Sequence, residues 1–441
     1  MAEIKPFNGY FYNPNKIKSL SQVIAPPYDV IPIEEREEYY ARKHNIINLI
    51  LPKETTNQDK YQHSASMLNE WLRDGIFMKG DKSSFYLYHQ HFLANNENLL
   101  RKGFFALVRL EDFADGKILP HENTLSSPKE DRFKLLNATR TNLSPIFLIY
   151  SDENNEVMKS LEQNKEESTF ADFVPLERKN SKYIPKGFPH PLGKKHTLWR
   201  ISNLQTNDKI KEIIKQKTLY IADGHHRYET ALKFWKENKK DYNRWILAYI
   251  SPMEDDSLKI FPAHRLLKDF SLDDWKKLNN KACDFFFIKE LPLNDIDKSF
   301  KLIREEGHSR HAFGVVHNDN GAIKTLLFVS KNEKKLLGKM QQHSPAWKHL
   351  DVSVLHSLIF SHILGYEEKE LQDTLRLAYE VDRYKAIDLV KNGTYQIAFL
   401  LNPTKVEEVK LVANRQERMP GKATYFYPKV PTGFFVNVFE K

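Results

Sequence analysis

The stretch Thr218-Leu-Tyr-Ile-Ala-Asp-Gly-His-His-Arg-Tyr-Glu-Thr-Ala-Leu232 predicts a strand, a tight turn and a helix in direct succession. The apolar run Leu219 to Ala222 favours a strand, and Asp223-Gly224 is typical of a turn. A helix is then expected to begin near His226. Apolar residues recur three, four and seven positions after Tyr228, which is the spacing of a helix with one buried face.

The start of this helix is a candidate anion-binding site. A helix N-terminus leaves backbone N–H groups without intrahelical partners and carries the positive end of the helix dipole. His225, His226 and Arg227 add donors at the same point. Gly224 permits the turn, and Asp223 places a carboxylate beside the donors. Phosphate is the anion that suits this arrangement; the alternative is that the histidines only cap the helix or satisfy buried carbonyls.

The bulk composition indicates a soluble globular protein of two or three subdomains. The chain has 441 residues, of which 41% are hydrophobic and 28% are charged. The formal net charge of +9 is spread along the chain without a long basic block, so nucleic acid is not an expected partner. No stretch approaches the roughly 20 apolar residues of a membrane span, and the N-terminus lacks a signal-peptide pattern. We therefore expect no membrane association and a cytoplasmic location.

Helices and hairpins are interleaved along the chain, which predicts a mixed α+β fold rather than a doubly wound parallel sheet. We predict a core α+β region at residues 1–268 and a C-terminal α+β subdomain at residues 269–441. The tail of that subdomain, residues 419–435, could pack back on the core. Within the core region, the apolar run Asn48 to Leu51 predicts a short buried strand. The only cysteine, Cys283, lies in an apolar run, so we expect a small core residue there.

Further polar clusters accompany the turn at Asp223. They are Tyr28 with Asp29, then His121, Glu122 and Thr124 with Arg132, then His264 with Arg265, and in the tail Lys422, Thr424 and Lys429. The sequence has no nucleotide P-loop, no Gly-x-Gly-x-x-Gly fingerprint, no serine nucleophile elbow and no His-Glu-x-x-His zinc helix. The common ATPase, dehydrogenase and hydrolase templates are therefore excluded, and acid–base and phosphate chemistry remain.

Phosphoryl transfer needs mainly positioning and charge neutralisation, often with Mg²⁺. Arg227 with the helix start could hold phosphates, and Asp223 or Glu122 could act as the base or as a metal ligand. The alternatives are an exposed loop without function for His121-Glu122 and a strand-end ion pair for His264-Arg265. A competing enzyme hypothesis is a zinc or manganese site built from His121, His225 and His226, which would serve a metal-dependent hydrolase.

Five motifs, in this order, resemble a widespread prokaryotic family that is catalogued as a conserved domain of unknown function. They are Pro26-Pro-Tyr-Asp-Val-Ile31, His121-Glu-Asn-Thr124, Ile221-Ala-Asp-Gly-His-His-Arg-Tyr-Glu-Thr-Ala231, Pro262-Ala-His-Arg265 and Met419-Pro-Gly-Lys-Ala-Thr-Tyr-Phe-Tyr-Pro-Lys429. The resemblance runs from Lys5 to about Phe435. The family usually has Gln-Lys-Ser-Thr where this chain has Gly421-Lys-Ala-Thr424, so a hydroxyl is missing here.

The turn is also similar to the Gly-Cys-His-Arg phosphate motif of sulfiredoxin and to the turn of ParB-like free-serine kinases. Sulfiredoxin's reactive cysteine corresponds to His225 here, so its cysteine chemistry is not implied. The resemblance implies a ParB/sulfiredoxin-like core in which His226 and Arg227 bind nucleotide phosphates.

The site residues expected from these patterns divide by role. Candidates for nucleotide binding are Gly224, His226, Arg227, His264 and Arg265, and candidates for catalysis are His121, Glu122, Asp223 and His225. Asp223 and Glu122 are also the candidate ligands of Mg²⁺. The function we expect is a small-molecule phosphotransferase that uses ATP or ADP with Mg²⁺ on serine or another hydroxylated metabolite. The alternatives are a ParB-like nucleotide-responsive regulator or adaptor and the metal-dependent hydrolase.

Overall fold

The computed structural model describes residues 2–54, 58–94, 96–176, 190–292, 295–372 and 376–440. The chain forms two compact units. The first unit comprises Met1–Pro120, Thr124–Lys259 and Phe426–Lys441, and the second comprises His121–Asn123 and Ile260–Tyr425. Among the described helices, none is long and apolar enough to cross a membrane.

The strands are numbered along the chain. The first twelve are β1 Ile4–Lys5, β2 Tyr10–Tyr12, β3 Phe77–Lys79, β4 Phe85–Ala94, β5 Glu97–Arg109, β6 Ile118–Leu119, β7 Thr141–Asn142, β8 Ile146–Tyr150, β9 Ala171–Phe173, β10 Lys195–Ile201, β11 Leu219–Asp223 and β12 Trp245–Pro252. The others are β13 Lys259–Phe261, β14 His264–Leu267, β15 Phe286–Glu290, β16 Ala312–Asp319, β17 Ala322–Ser330, β18 Leu377–Glu380, β19 Ile397–Leu400, β20 Tyr425–Tyr427 and β21 Asn437–Val438.

The α-helices are numbered in the same way. The first eight are α1 Leu20–Val23, α2 Ile33–Tyr40, α3 Ile47–Ile50, α4 Lys60–Arg73, α5 Ser126–Thr139, α6 Glu156–Gln163, α7 Leu204–Lys215 and α8 His225–Asn238. The others are α9 Leu272–Ala282, α10 Ile296–Glu306, α11 Glu333–Leu337, α12 Pro345–Lys348, α13 Asp351–Val354, α14 Glu368–Gln372, α15 Arg383–Lys391 and α16 Val406–Asn414. Short 3₁₀ helices span Tyr28–Val30, Phe113–Asp115 and Asp241–Asn243, and a π-helix spans Leu355–Leu364.

The first unit is organised around a mixed sheet. Its described strands lie in the order β6-β11-β8-β12-β5-β4-β10-β9, with β1 paired to β5. The pairs β6/β11 and β8/β12 are parallel, and the remaining neighbours are antiparallel. The sheet places β11 between β6 and β8, so the turn that follows Asp223 starts from a strand held on both sides. The predicted mixed α+β class is confirmed.

Helix α8 packs on this sheet through the face that the sequence predicted. Tyr228, Ala231 and Leu232 are buried and belong to the same apolar cluster as Ile221 of β11, and Trp235 packs against that cluster while partly exposed. Burying a side chain of the size of Leu232 contributes about 1.5–3 kcal/mol. This packing fixes the helix, and with it the position of its first turn.

The second unit has its own sheet and core. The described strands lie in the order β15-β17-β16-β19-β14-β18, and all neighbours are antiparallel. Helices α10 and α15 pack on this sheet. Ile303 of α10 and Ile387 of α15 belong to the same apolar cluster as Leu266 of β14 and Val316 of β16.

Two local predictions are wrong. Residues 47–50 form helix α3 and not a strand, because the Oδ1 of Asn45 accepts from the N–H of Ile47 at 3.0 Å and starts a helical turn. A short apolar run cannot by itself separate the two structures. Cys283 is exposed and not in the core. It follows the last residue of α9, whose buried face is completed by Leu278 and Ala282.

Candidate functional site

The turn between β11 and α8 requires glycine at position 224. Gly224 precedes the first residue of α8 and has φ +94° and ψ 29°, in the left-handed region. A Cβ at this position would lie 3.0 Å from the guanidinium of Arg227 and 3.0 Å from the Cγ2 of Ile146. Glycine is therefore needed for the backbone angle and for the close approach of the arginine. The strand register also shifts between Ile221 and Asp223, just before the turn.

Two cations share the carboxylate of Asp223. The Nη2 of Arg227 donates to Oδ2 at 2.6 Å, and the Nζ of Lys429 donates to Oδ1. The Nη1 of Arg227 donates to the carbonyl of Pro145. The side chains of Arg227, Lys429 and Asp223 are only 12%, 6% and 15% exposed. This cluster has one more positive than negative charge and lies at a helix N-terminus, so its electrostatics favour an anion.

The first turns of α8 also bind the last residue of the His-Glu-Asn-Thr motif and the residue that follows it. The Nε2 of His226 accepts from the N–H of Leu125 at 2.9 Å, and Thr124 donates to Glu229 at 2.7 Å. Nε2 of His226 is thus an acceptor here, and it would have to release Leu125 before it could bind phosphate. His225 is 2% exposed and packs inside the first unit.

A cavity of about 50 Å³ adjoins Arg227. Tyr28, Arg132, Ser144 and Thr230 are among the residues that line it with Arg227. The guanidinium of Arg132 lies 4.1 Å from the ring centroid of Tyr28, within the range of a cation–π contact. A cavity of this size suits one or two water molecules or a small polar group, since each water takes about 30 Å³. The Pro-Pro-Tyr-Asp motif therefore contributes to the surroundings of Arg227.

The end of the chain is joined to that same motif. Ala25 and Thr432 exchange backbone hydrogen bonds, from the N–H of Ala25 at 3.1 Å and from the N–H of Thr432 at 2.9 Å. The hydroxyl of Thr432 also bonds to that of Ser144 at 3.1 Å. These contacts hold the segment that carries Lys429. Three segments far apart in sequence thus meet at the start of α8.

His121 and Glu122 lie in the second unit. His121 is fully buried, and its Nε2 is hydrogen-bonded to the Oγ1 of Thr424 at 2.8 Å. Glu122 forms a parallel bridge with Met419. The His-Glu motif and the Met-Pro-Gly part of the tail are therefore neighbours within the second unit.

His264 and Arg265 are also buried within the second unit. Arg265 donates to the carbonyls of Ala263 and Gly421, the latter at 3.2 Å, and its guanidinium lies 5.1 Å from the ring centroid of Tyr379. Burial lowers the pKa of Arg265 to about 10, although Tyr379 opposes the shift. Burial also lowers the pKa of His264 to about 3, so this imidazole is neutral at pH 7. The contacts of these two side chains therefore join β14 to neighbouring segments of the second unit.

Sequence reasoning missed the contacts that complete the site in the first unit. Lys429 appeared only as a cation of the tail, and Pro145 carried no signal at all. Nothing in the sequence pairs either residue with the Asp-Gly-His-His-Arg turn.

A family model described as "Protein of unknown function (DUF1015)" matches residues 4–353. No curated protein matches the chain.

Solved structures show a distant likeness. A free serine kinase in complex with AMP is similar with 14% identity and a TM-score of 0.37, covering 75% of this chain and 92% of that chain. A conserved hypothetical protein from Pyrococcus furiosus has 13% identity and a TM-score of 0.37, covering 75% and 93%. SbnI with a C-terminal truncation, from Staphylococcus aureus, has 12% identity and a TM-score of 0.37, covering 76% and 87%. Likeness at this level assigns no activity, and the ParB/sulfiredoxin-like core stays a prediction.

Proposed function

We propose that this chain, which belongs to the family of proteins of unknown function (DUF1015), binds nucleotide phosphates at the start of α8 and transfers phosphate to a small hydroxylated metabolite. The observation that carries the proposal is the pairing of Arg227 and Lys429 with the single carboxylate of Asp223, at the N-terminus of a 14-residue helix. ATP or ADP with Mg²⁺ is the nucleotide we expect, and serine is the first acceptor to test.

The cluster suits phosphate for electrostatic reasons. The planar fork of Arg227 can donate to two phosphate oxygens, and Lys429 supplies a compact point charge. Asp223 already holds the side chains of Arg227 and Lys429 in place. Binding of an anion therefore costs little further side-chain conformational entropy. Partial burial strengthens each interaction with an incoming anion relative to water.

The roles in phosphoryl transfer follow from these contacts. In the transfer, the acceptor oxygen forms a bond to the terminal phosphorus, the bond to the leaving nucleotide (ADP from ATP, or AMP from ADP) breaks, and the hydroxyl proton passes to solvent water. The protein supplies mainly positioning and charge neutralisation. Both carboxylate oxygens of Asp223 already accept hydrogen bonds, one from Arg227 and the other from Lys429. We therefore assign Asp223 to positioning Arg227 and Lys429. Mg²⁺ would be held largely through the phosphates themselves, as it commonly is.

The first experiment is a thermal-shift panel of ATP, ADP, CTP and GTP, each with Mg²⁺. A nucleotide present at about 100 times its dissociation constant should add roughly 2.7 kcal/mol of stability. We expect one nucleotide to stabilise the wild type and to lose that effect in Lys429→Gln. The matched control is Lys236→Gln. This variant also removes one positive charge, but from the last turn of α8, where Lys236 pairs with Asp112. No stabilisation of the wild type by any nucleotide would refute the proposal.

Turnover separates the phosphotransferase from its alternatives. Phosphorus NMR of the nucleotide with serine and other hydroxylated metabolites should reveal a new phosphate ester. Binding without any transfer would favour a nucleotide-responsive regulator. Stoichiometric bound metal that is lost in His121→Ala or His225→Ala would favour the metal-dependent hydrolase.

A further inference from the structure

A cavity in the second unit is lined by imidazole and carboxylate side chains. Its volume is about 200 Å³. One ligand atom from each of His311, Glu333 and His349 lies within 4.8 Å of the other two. His311 directly precedes β16, Glu333 begins α11, and His349 directly follows α12. Three separate elements therefore bring these groups together.

His311 is oriented in the way that metal-binding histidines usually are. Its Nδ1 is hydrogen-bonded to the Oδ1 of Asp351 at 2.8 Å, and the residue is 6% exposed. Among the described residues, its buried Nε2 has no hydrogen-bond partner. An imidazole whose Nδ1–H is donated to a carboxylate presents a lone pair at Nε2, which is the arrangement that supports a bound metal. An unsatisfied buried nitrogen otherwise costs about 1–3 kcal/mol.

The other two side chains can adjust their positions. The Nδ1 of His349 lies 2.9 Å from the Oε1 of Glu333, and the side chains are 51% and 58% exposed. Ligand atoms around a tetrahedral zinc ion stand about 3.4 Å apart, given metal–ligand distances of about 2.0–2.1 Å. The ligand-atom separations in the cluster, which reach at most 4.8 Å, would have to shorten by up to about 1.4 Å, and the exposed side chains of Glu333 and His349 have room to rotate.

The charges around the cavity also favour a cation. The lining includes three carboxylates and two basic side chains, namely Glu333, Asp351, Glu408, Arg310 and Lys405. Burial raises the pKa of Glu408, and the carboxylate of Asp351 adds to the shift while Lys405 opposes it. The three carboxylates outnumber the two cationic side chains by one, which suits a bound cation.

We propose that His311, Glu333 and His349 bind a divalent transition-metal ion, for which zinc is the best match. Two imidazoles and one carboxylate, with a fourth position for water, form an established zinc donor set. Asp351 acts as the outer carboxylate that orients His311. The site is separate from the nucleotide site proposed in the first unit, and it does not depend on it.

The test is a zinc titration of the full chain after removal of metal by a chelator. Every sample carries Cys283→Ser, because the exposed thiol of Cys283 could bind zinc by itself. We expect one zinc ion per chain by calorimetry. His349→Ala should weaken the affinity by more than about 100-fold, and Asp351→Asn by about 10–100-fold. His362→Ala, which removes an exposed histidine of the second unit outside the cluster, should leave the affinity unchanged.

Two results would overturn the proposal. One is a Cys283→Ser chain, with His311, Glu333, His349 and Asp351 intact, that binds no zinc. The other is binding that His349→Ala and Glu333→Gln leave unchanged, which would identify an adventitious ion. Cobalt(II) in place of zinc adds a spectroscopic readout, since a tetrahedral site should give visible absorption that His349→Ala removes. Circular dichroism of each variant separates loss of the site from loss of the fold.

Discussion

Lys429 donates to the carboxylate of Asp223, which lies 206 positions earlier in the chain. The side chain of Lys429 is 6% exposed, and the other oxygen of the carboxylate is taken by Arg227. A residue outside the Asp-Gly-His-His-Arg turn therefore gives that turn its excess positive charge. The end of the chain and the start of α8 are expected to respond together to substitution.

Removing Lys429 should destabilise the first unit. Lys429→Met leaves Asp223 with one cation, and we expect a loss of about 1–3 kcal/mol in the free energy of unfolding. Urea denaturation of Lys429→Met, Asp223→Asn and the double variant measures the coupling between the two residues. Losses that simply add would contradict the pairing. Lys236→Met removes an exposed partner of Asp112 and should change stability by less than about 0.5 kcal/mol.

Gly224→Ala should disturb both the backbone and the position of Arg227. The new Cβ would meet the guanidinium and Ile146 at 3.0 Å. We expect a loss of about 2–4 kcal/mol, combining left-handed strain with a steric clash. Gly116→Ala is the matched control, since Gly116 has φ +67° and nothing within 4 Å of the added Cβ. That control should lose only about 1–2 kcal/mol. Equal losses by thermal denaturation would show that the clash is unimportant.

The hydroxyl of Thr424 should stabilise the second unit through His121. Thr424→Val keeps the shape but removes the partner of a fully buried imidazole nitrogen, so we expect a loss of about 1–3 kcal/mol. Thr424→Ser keeps the hydroxyl and should retain most of the stability. The measurement is denaturation monitored by hydrogen exchange in the second unit. A serine variant as unstable as the valine variant would argue that the methyl group, and not the hydrogen bond, matters.

The stability of the first unit should depend on pH through Glu162. Burial acts to raise the pKa of Glu162, but Lys102, Lys165 and His89 outweigh it and lower the pKa from 4.5 to about 2. A carboxylate with a depressed pKa in the folded state contributes stability above pH 4.5, and the contribution is lost as the pH falls from 4.5 through about 2.

Glu162→Gln should therefore be less stable than the wild type at pH 7, by about 1–2 kcal/mol after screening by solvent. The difference should shrink as the pH falls below about 4.5. Urea denaturation between pH 7 and pH 3 measures it. Glu237→Gln on the exposed side of α8 serves as the control and should leave the profile unchanged. A constant difference at all pH values would contradict the linkage.

Sequence patterns predicted local structure well where the forces act over a few residues. Gly224 and the apolar spacing after Tyr228 predicted β11 and α8 to within one residue of their observed start. The same rules failed at Asn48 to Leu51, where a short apolar run is compatible with a helix or a strand. They failed at Cys283 because a single turn of helix decides which side faces water.

The sequence by itself determined the mixed α+β class, the strand–turn–helix at Asp223 and the collection of donors at its N-terminus, because these depend on backbone angles and on neighbours within about ten residues. Only the tertiary structure decided that Lys429 joins Asp223, that Tyr28 lines the cavity next to Arg227, and that His121 pairs with Thr424. The grouping of His311, Glu333 and His349 also needed it. Such contacts depend on the path of the chain through two sheets, and no local spacing encodes which distant side chains that path brings within hydrogen-bonding distance.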